Sequence, residues 1–334
     1  MAAERKKHLL TVAAADPLEL TRFLQARLAR TAAEVAQLIA EGAVRIGQHR
    51  AERPLQPLTP GGRVTVFIAA APPRPAGTPA LRIAMQDAEV MVIEKPPGLS
   101  TQPGRRGGPS VTALLPPQVS LLHRLDTEAS GLLLAARTPQ ATAALQQAFD
   151  DGAVSRSYVA VVAGSPPDSG CIELRIGPRA QSGPMSALRQ CYPRGSAQGQ
   201  PATTLFQVIA RSQPPAAPQA LLLVRIRSGR THQIRVHLAA LGSPLCGDPN
   251  YGGPAAARLL LHAAQLRFPH PRTGKPCQVL SLPDFPDAGL AFARQSLASV
   301  QALAAALAKA AALDAPYAGL ATTNKVDADH LDSP

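Results

Sequence analysis

Leu20, Phe23, Leu24 and Leu28 recur at helical spacing, and Val35, Leu38 and Ile39 repeat the pattern behind Thr31 and Glu34, whose separation is that of a capping box. Gly42 is placed to end this second helix. The period then changes: Val44 and Ile46, and after them Val64, Val66 and Ile68, alternate as short strands around a Pro60-Gly61-Gly62 turn. A proline-dense stretch, Ala71-Pro72-Pro73-Arg74-Pro75-Ala76-Gly77, reads as a semi-stiff spacer. Beyond it, Val90 and Val92, the run Leu132 to Ala136, Tyr158 to Val162 and Leu221 to Val224 predict half-buried or buried strands. Ser228-Gly229 turns the chain, Thr231 can cap a helix, Ile234, Leu238 and Leu241 give it an apolar stripe, and Gly242 ends it. Leu297, Val300, Leu303 and Leu307 predict one further helix in an alanine-rich background. The expected organisation is a mobile charged tail over 1–15, a small domain over 16–70, a linker over 71–80, a mixed α+β domain over 81–287, an added helix over 288–314 and a disordered end over 315–334.

Charge narrows the class of partner. Lys plus Arg number 34 against 22 Asp plus Glu, a formal charge of +12 in 334 residues, so polyanions are attracted, nucleic acid first among them and acidic membrane second. Only six of the cations are lysines, and arginine's planar fork suits phosphates and bases, although a codon bias would enrich it equally. The four cysteines, Cys171, Cys191, Cys246 and Cys277, show no paired spacing and are expected as free thiols. His232 and His237, five apart on a helix, fall on different faces, so no metal site is expected. No apolar run approaches the length of a membrane span, and Met1 to Leu10 is charged rather than leader-like, which together predict a cytoplasmic protein with no membrane partner.

Candidate chemistry centres on His123-Arg124-Leu125-Asp126-Thr127-Glu128-Ala129-Ser130-Gly131-Leu132-Leu133-Leu134. Asp126, between a basic cluster and a segment that must be buried, is a candidate nucleophile; a surface Arg–Asp pair capping a strand is the plainer alternative. A second cluster, Arg225 to Leu238, contains Gly229-Arg230-Thr231-His232-Gln233. Arg230, at a strand-to-helix junction, can reach back to a carboxylate on a neighbouring loop. The loop Gly104-Arg105-Arg106-Gly107-Gly108 could clamp a phosphate backbone or simply face solvent.

With Val92-Ile93-Glu94-Lys95-Pro96-Pro97-Gly98, Arg156-Ser157-Tyr158, Leu261-His262-Ala263 and Gly242 to Asp248, these blocks make residues 81–287 resemble the RluA-type family of RNA pseudouridine synthases. The resemblance implies a central, largely antiparallel sheet, isomerisation of uridine in RNA without a cofactor, Asp126 as the catalytic carboxylate paired with Arg230, and Tyr158 against the target base. Asp126 could attack the base at C6, add to the sugar at C1′ or deprotonate the sugar. Arg124 fits a residue holding the vacated position or a nearby phosphate, and His123, Arg105 and Arg106 complete the expected substrate contacts, His123 chiefly as loop support. Residues 16–70 resemble an S4 domain, which implies RNA contacts from Arg22, Arg27 and Arg30. Large-subunit ribosomal RNA is the expected substrate, tRNA the alternative, and a monomer the expected state. Two rivals stand: a glycoside hydrolase using Asp126 and Glu128, disfavoured by 3% aromatic residues, and a non-catalytic RNA-binding protein on the same fold.

Overall fold

A computed structural model describes residues 5–28, 32–40, 42–51, 53–69, 81–103, 108–179, 188–214, 216–285, 293 and 300–309. The chain divides into two compact units, one of residues 1–79 with 115–118, the other of 80–114 with 119–334. Thr31, the Glu34 side chain, the spacer at 71–77, Leu297 and the end over 315–334 lie outside the described residues.

In the first unit, helices α1 (Leu20–Leu28) and α2 (Ala32–Ala40) pack Leu20, Phe23, Leu24, Val35 and Ile39 against one face of a small sheet. Its strands are β1 (Arg5–Thr11), β2 (Val44–Ile46), β3 (His49–Arg50) and β4 (Arg63–Ala69), in the order β1-β4-β2-β3. The N-terminal segment is therefore a strand where a mobile tail is expected: β1 runs antiparallel to β4 from Arg5 opposite Ala69 to Thr11 opposite Arg63. Four basic residues in its sequence conceal the signal, but without β1 the backbone of β4 would present an unpaired edge.

The second unit is built on one mixed sheet. Its strands are β5 (Arg82–Gln86), β6 (Val90–Lys95), β7 (Ser120–Leu121), β8 (Ser130–Ala136), β9 (Ser155–Ala163), β10 (Ser169–Pro178), β11 (Arg189–Tyr192), β12 (Gln200–Arg211), β13 (Gln219–Ile226), β14 (Leu261–Pro269) and β15 (Pro276–Leu280). The order is β11-β10-β12-β13-β9-β14-β8-β6-β5, with β15 added to β14 and β7 to β8. Every pairing is antiparallel except β8 with β14, where Ser130 and Gly131 lie opposite His262 and Ala263. Both faces are covered. After the single turn α3 (Val111–Leu114), helix α4 (Pro139–Asp150), capped by the Thr138 hydroxyl accepting from Ala141 N–H, packs Ala141 and Leu145 on Leu132, Leu134 and Val92. On another part of the sheet, Leu303 and Leu307 of α6 (Val300–Lys309) join Val159, Val161, Leu221 and Leu223. Between them in sequence, α5 (Gln233–Ala240) is buried at every position from Gln233 to Leu238.

The parallel junction positions the site. Gly131, Ala263, Tyr158, Val224 and Phe206 form one row across β8, β14, β9, β13 and β12. Gly131 has φ +113°, and a Cβ there would lie 2.4 Å from the Ala263 carbonyl oxygen, so only glycine lets β14 close on β8 at this point. Among the described residues no helix is long and apolar enough to cross a membrane.

Candidate active site

Asp126 sits in the loop between β7 and β8, and backbone contacts hold that loop on both sides. The Thr101 hydroxyl donates to the Leu125 carbonyl at 2.7 Å and accepts the Leu125 N–H at 3.0 Å. Lys95, at the end of β6 and 1% exposed, donates to the carbonyls of Pro96, Leu99 and Thr127 at 2.9, 2.7 and 3.0 Å. Burial pulls its ammonium down to about 8, against the opposing pull of Glu128 and Asp126. A buried cation satisfied by three carbonyls thus joins the start of one loop to the middle of the loop that carries Asp126.

Arg235, on α5, supplies the charge that faces Asp126. Its Nε and Nη2 form a bidentate fork with the two oxygens of Asp248, both at 2.8 Å, while Nη1 lies 3.4 Å from Asp126 Oδ2 and 3.4 Å from Glu128 Oε2. The Arg235 side chain is 2% exposed and that of Asp248 is 0% exposed, so the fork is a desolvated ion pair of good geometry. The hydrogen bonds and charges of its carboxylate partners hold the guanidinium's pKa above its ordinary value in spite of burial. Asp126 Oδ1 has no hydrogen-bond partner among the described residues, and its side chain is 15% exposed.

This pairing corrects the sequence-based expectation. Arg230 does not pair with Asp126: its Nε reaches the Pro201 carbonyl at 3.4 Å and its N–H donates to Gln233 Oε1 at 3.1 Å. Arg230 precedes α5, whereas Arg235 is carried by its first turns onto the side facing Asp126. Thr231 is not the cap either; His232 holds that position with φ 57°, without a capping side-chain bond. The ring of His232 is occupied otherwise. The Tyr251 oxygen accepts the Arg189 N–H at 3.0 Å and lies 2.8 Å from His232 Nδ1, a hydrogen bond that fixes the orientation of the imidazole. Burial lowers the pKa of His232, opposed first by the charge of Asp126. A non-glycine residue in the left-handed region beside a candidate nucleophile is local strain of the kind found at functional sites.

A pocket of about 50 Å³ is lined by Asp126, Tyr158, Ile226, Arg230, His232 and Leu261 among others. A cleft of about 490 Å³ adjoins it and shares Arg124, Leu125, Asp126, His232 and Arg235. Tyr158, 4% exposed on β9, presents its ring to the pocket, and burial raises its hydroxyl pKa. Arg124 is exposed, lines both spaces, and its guanidinium has no protein partner among the described residues. Arg156 also lines the pocket, its guanidinium 5.3 Å from the Phe149 ring and its Nε buried with no partner. His123 lines neither space: Nε2 accepts the Leu134 N–H at 3.0 Å and burial lowers its pKa to about 3. It braces the loop against β8 as a neutral ring. Arg105, Arg106 and Arg30 lie outside the described residues. Arg27 pairs with Asp16 at 2.7 Å, and Arg22 lies 3.9 Å from Glu19.

A family model described as RNA pseudouridylate synthase matches residues 89–240. The Escherichia coli K12 protein named dual-specificity RNA pseudouridine synthase RluA is 35% identical over 221 residues, which cover 63% of this chain and 97% of that one. The chain belongs to the RluA-type RNA pseudouridine synthase family. A second family relative, the Nitrosomonas europaea protein named ribosomal large subunit pseudouridine synthase D, is 34% identical over 216 residues, 58% of this chain and 60% of that one. The match thus takes in less than two thirds of that relative's length. The fold agrees with a solved family structure, human RNA pseudouridylate synthase domain containing 1, at a TM-score of 0.54 and 24% identity, over 69% of this chain and 95% of that one.

Proposed function

We propose that this chain isomerises uridine to pseudouridine in RNA, with large-subunit ribosomal RNA as substrate and Asp126 as nucleophile or base. The observation that carries the reading is the Asp126 carboxylate, with Oδ2 directed at a buried arginine and Oδ1 unpartnered among the described residues, in a pocket that Tyr158 also lines. The N1–C1′ bond breaks, the uracil turns, and C5 bonds to C1′. N1 gains a proton and C5 loses one, so no oxidant, reductant or cofactor enters the balance. Asp126 can serve by adding to C6, by adding to C1′ or by removing a sugar proton. Tyr158, Ile226 and Leu261 line this pocket and offer a flat base an aromatic and apolar surface to rest on. A paired uridine must first leave its stack, at a cost of a few kcal/mol, and the exposed Arg124 is suited to hold the space it leaves. Glu128 lies 3.4 Å from the same Arg235 Nη1, and the isomerisation as written asks for one carboxylate only. The ribosomal substrate is supported by the name of the Nitrosomonas relative, and a cytoplasmic monomer is the proposed working form.

Tritium release tests the chemistry. RNA labelled at uridine C5 must release tritium to water when C5 becomes the glycosidic carbon. Release by the unmodified chain from ribosomal RNA, and its loss in Asp126→Ala with RNA affinity intact, is the expected result. Release only from tRNA would overturn the substrate, and equal release by Asp126→Ala would overturn the nucleophile. Binding without release by the unmodified chain would favour an RNA-binding protein on this fold.

A further inference from the structure

We infer that Arg156 is a further catalytic residue, the cation that takes up the negative charge a uracil ring acquires when its bond to the sugar breaks; the substrate rests on the function proposed above. Strand β9 sets its place. Residues two apart on a strand share a face, so Arg156 lies on the same side as Tyr158, and both line the pocket that Asp126 lines. The half-buried guanidinium sits between two neighbours: the Phe149 ring of α4, 5.3 Å away, and the turn before α5, where a Cβ on Gly229 would lie 3.1 Å from Nη1. A glycine there leaves Nη1 its space beside the pocket. The buried Nε meets no acceptor, and no carboxylate pairs with the guanidinium among the described residues.

Other arginines line the same pocket, and each is placed differently. Arg235 is matched by Asp248 and faces Asp126 and Glu128. Arg230 is exposed and turns its Nε to the Pro201 carbonyl, and Arg124 is exposed as well. Arg156 is therefore the half-buried cation of the pocket without a counter-charge among the described residues. Its field reaches both sides of the loop: burial raises the Tyr158 hydroxyl pKa and the charge of Arg156 opposes it, while at His123 burial and that charge act together. The reaction supplies the missing anion. When N1–C1′ breaks, its electron pair stays on the base and spreads over N1, O2 and O4. If Asp126 adds at C6 first, the pair displaced from the C5–C6 double bond lies on C5 and O4. By either course the ring is anionic until C5 bonds to C1′, and a fixed, partly desolvated cation beside it lowers the barrier. The planar fork of donors suits a ring carbonyl oxygen.

The test compares the full chain with Arg156→Met, which keeps the stem and removes the charge, and with Arg156→Lys. Single-turnover conversion of ribosomal RNA is followed by chromatography of the digested nucleosides. Arg156→Met should lose roughly 100-fold in rate, as removal of one preorganised donor does, with RNA affinity and Tm close to those of the unmodified chain. Arg156→Lys, which keeps charge but not the fork, should lose roughly 10-fold. Fluorine at C5 stabilises the uracil anion by itself, so on RNA containing 5-fluorouridine the Arg156→Met loss should shrink to roughly 10-fold or less. Equal losses on the two RNAs together with a lowered Tm would make Arg156 a packing residue and overturn the proposal. So would a loss confined to KM with a shallower salt slope, the mark of a phosphate contact. A second probe is independent of turnover: 6-azauracil has the shape of uracil but ionises near neutral pH. At pH 8 the unmodified chain should bind it more tightly than uracil, and Arg156→Met should bind the two alike. Should the unmodified chain convert no RNA, the isomerase reading fails, and an equal preference for 6-azauracil in both proteins would then overturn the anion site as well.

Discussion

Replacing Arg235 by leucine removes the cation that joins two loops to α5, and the structure sets how much that should cost. Asp248 would be left buried, its two oxygens stripped of the 2.8 Å contacts to Nε and Nη2 and keeping, among the described residues, the Asn250 N–H at 3.2 Å. An uncompensated buried carboxylate costs about 3–5 kcal/mol. For a domain of this size that corresponds to a fall in Tm of roughly 6–20 °C. Asp248→Leu alone should cost less, because Arg235 keeps Asp126 and Glu128 within 3.4 Å. The double variant should regain most of the stability, since an apolar pair of similar volume replaces both charges. Activity should not return with it. Asp126 loses its orienting cation in the single and double arginine variants alike, and a misaimed catalytic group costs on the order of 100-fold or more in kcat. Thermal unfolding and C5-tritium release on the three variants and on Arg230→Leu provide the comparison. If Arg235→Leu unfolds with the unmodified chain and keeps its kcat, while Arg230→Leu loses activity, the reasoning is refuted and the earlier residue is the orienting cation.

The remaining predictions concern pH and packing. Lys95 titrates near 8 when folded against 10.5 in the unfolded chain. The unfolded chain therefore binds more protons between these values, and this group's contribution to stability rises by roughly 3 kcal/mol across that window. Activity should move the other way, falling with an apparent pKa near 8 as the clamp on the Thr127 carbonyl loses its charge; Lys95→Met should lack that limb, and an unchanged profile would remove Lys95 from the account. His262, held between Ser130 and Ser281 at 2.9 and 3.0 Å, is driven by burial to about 3 from 6.5. The stability it confers is present above pH 6.5 and is lost as pH falls toward 3, about 2 kcal/mol by pH 5. Urea unfolding of His262→Gln should show a correspondingly flatter acid limb, and an equal slope would contradict the neutral ring. Gly131→Ala should fail to fold normally, because its Cβ meets the Ala263 backbone at 2.4–2.8 Å; a soluble variant with an unchanged Tm would show that the junction can open.

Much of this architecture was legible in apolar spacing alone. The stripes of α1, α2 and α5 and the runs of β6, β8, β9 and β13 are long enough to show their period, and Asp126 stands at the head of one of them. Strand β10 is hidden in the sequence, although Ile172, Leu174 and Ile176 alternate with polar neighbours, because prolines and glycines on either side make the region read as loop. The identity of the orienting arginine was hidden for a different reason. Arg230 and Arg235 lie in one cationic segment, and which of them faces Asp126 depends on where the helix starts and how it is rotated, a tertiary fact. A usable clue was present: Arg235 sits between Ile234 and Val236 on a helix whose stripe demands burial, and a buried arginine needs a carboxylate. Asp248 and Lys95 lie in blocks that carry the family resemblance, yet their work is done through space, across 13 residues to Arg235 and 32 to Thr127.

The most direct test of the central claim is a pseudouridine map of total RNA from cells with the gene intact, deleted, or restored as Asp126→Asn. The account predicts at least one site in large-subunit ribosomal RNA that disappears on deletion, returns with the unmodified gene and stays absent with Asp126→Asn, although that variant is folded and binds RNA. A map that does not change on deletion, or a site restored by Asp126→Asn, would contradict it.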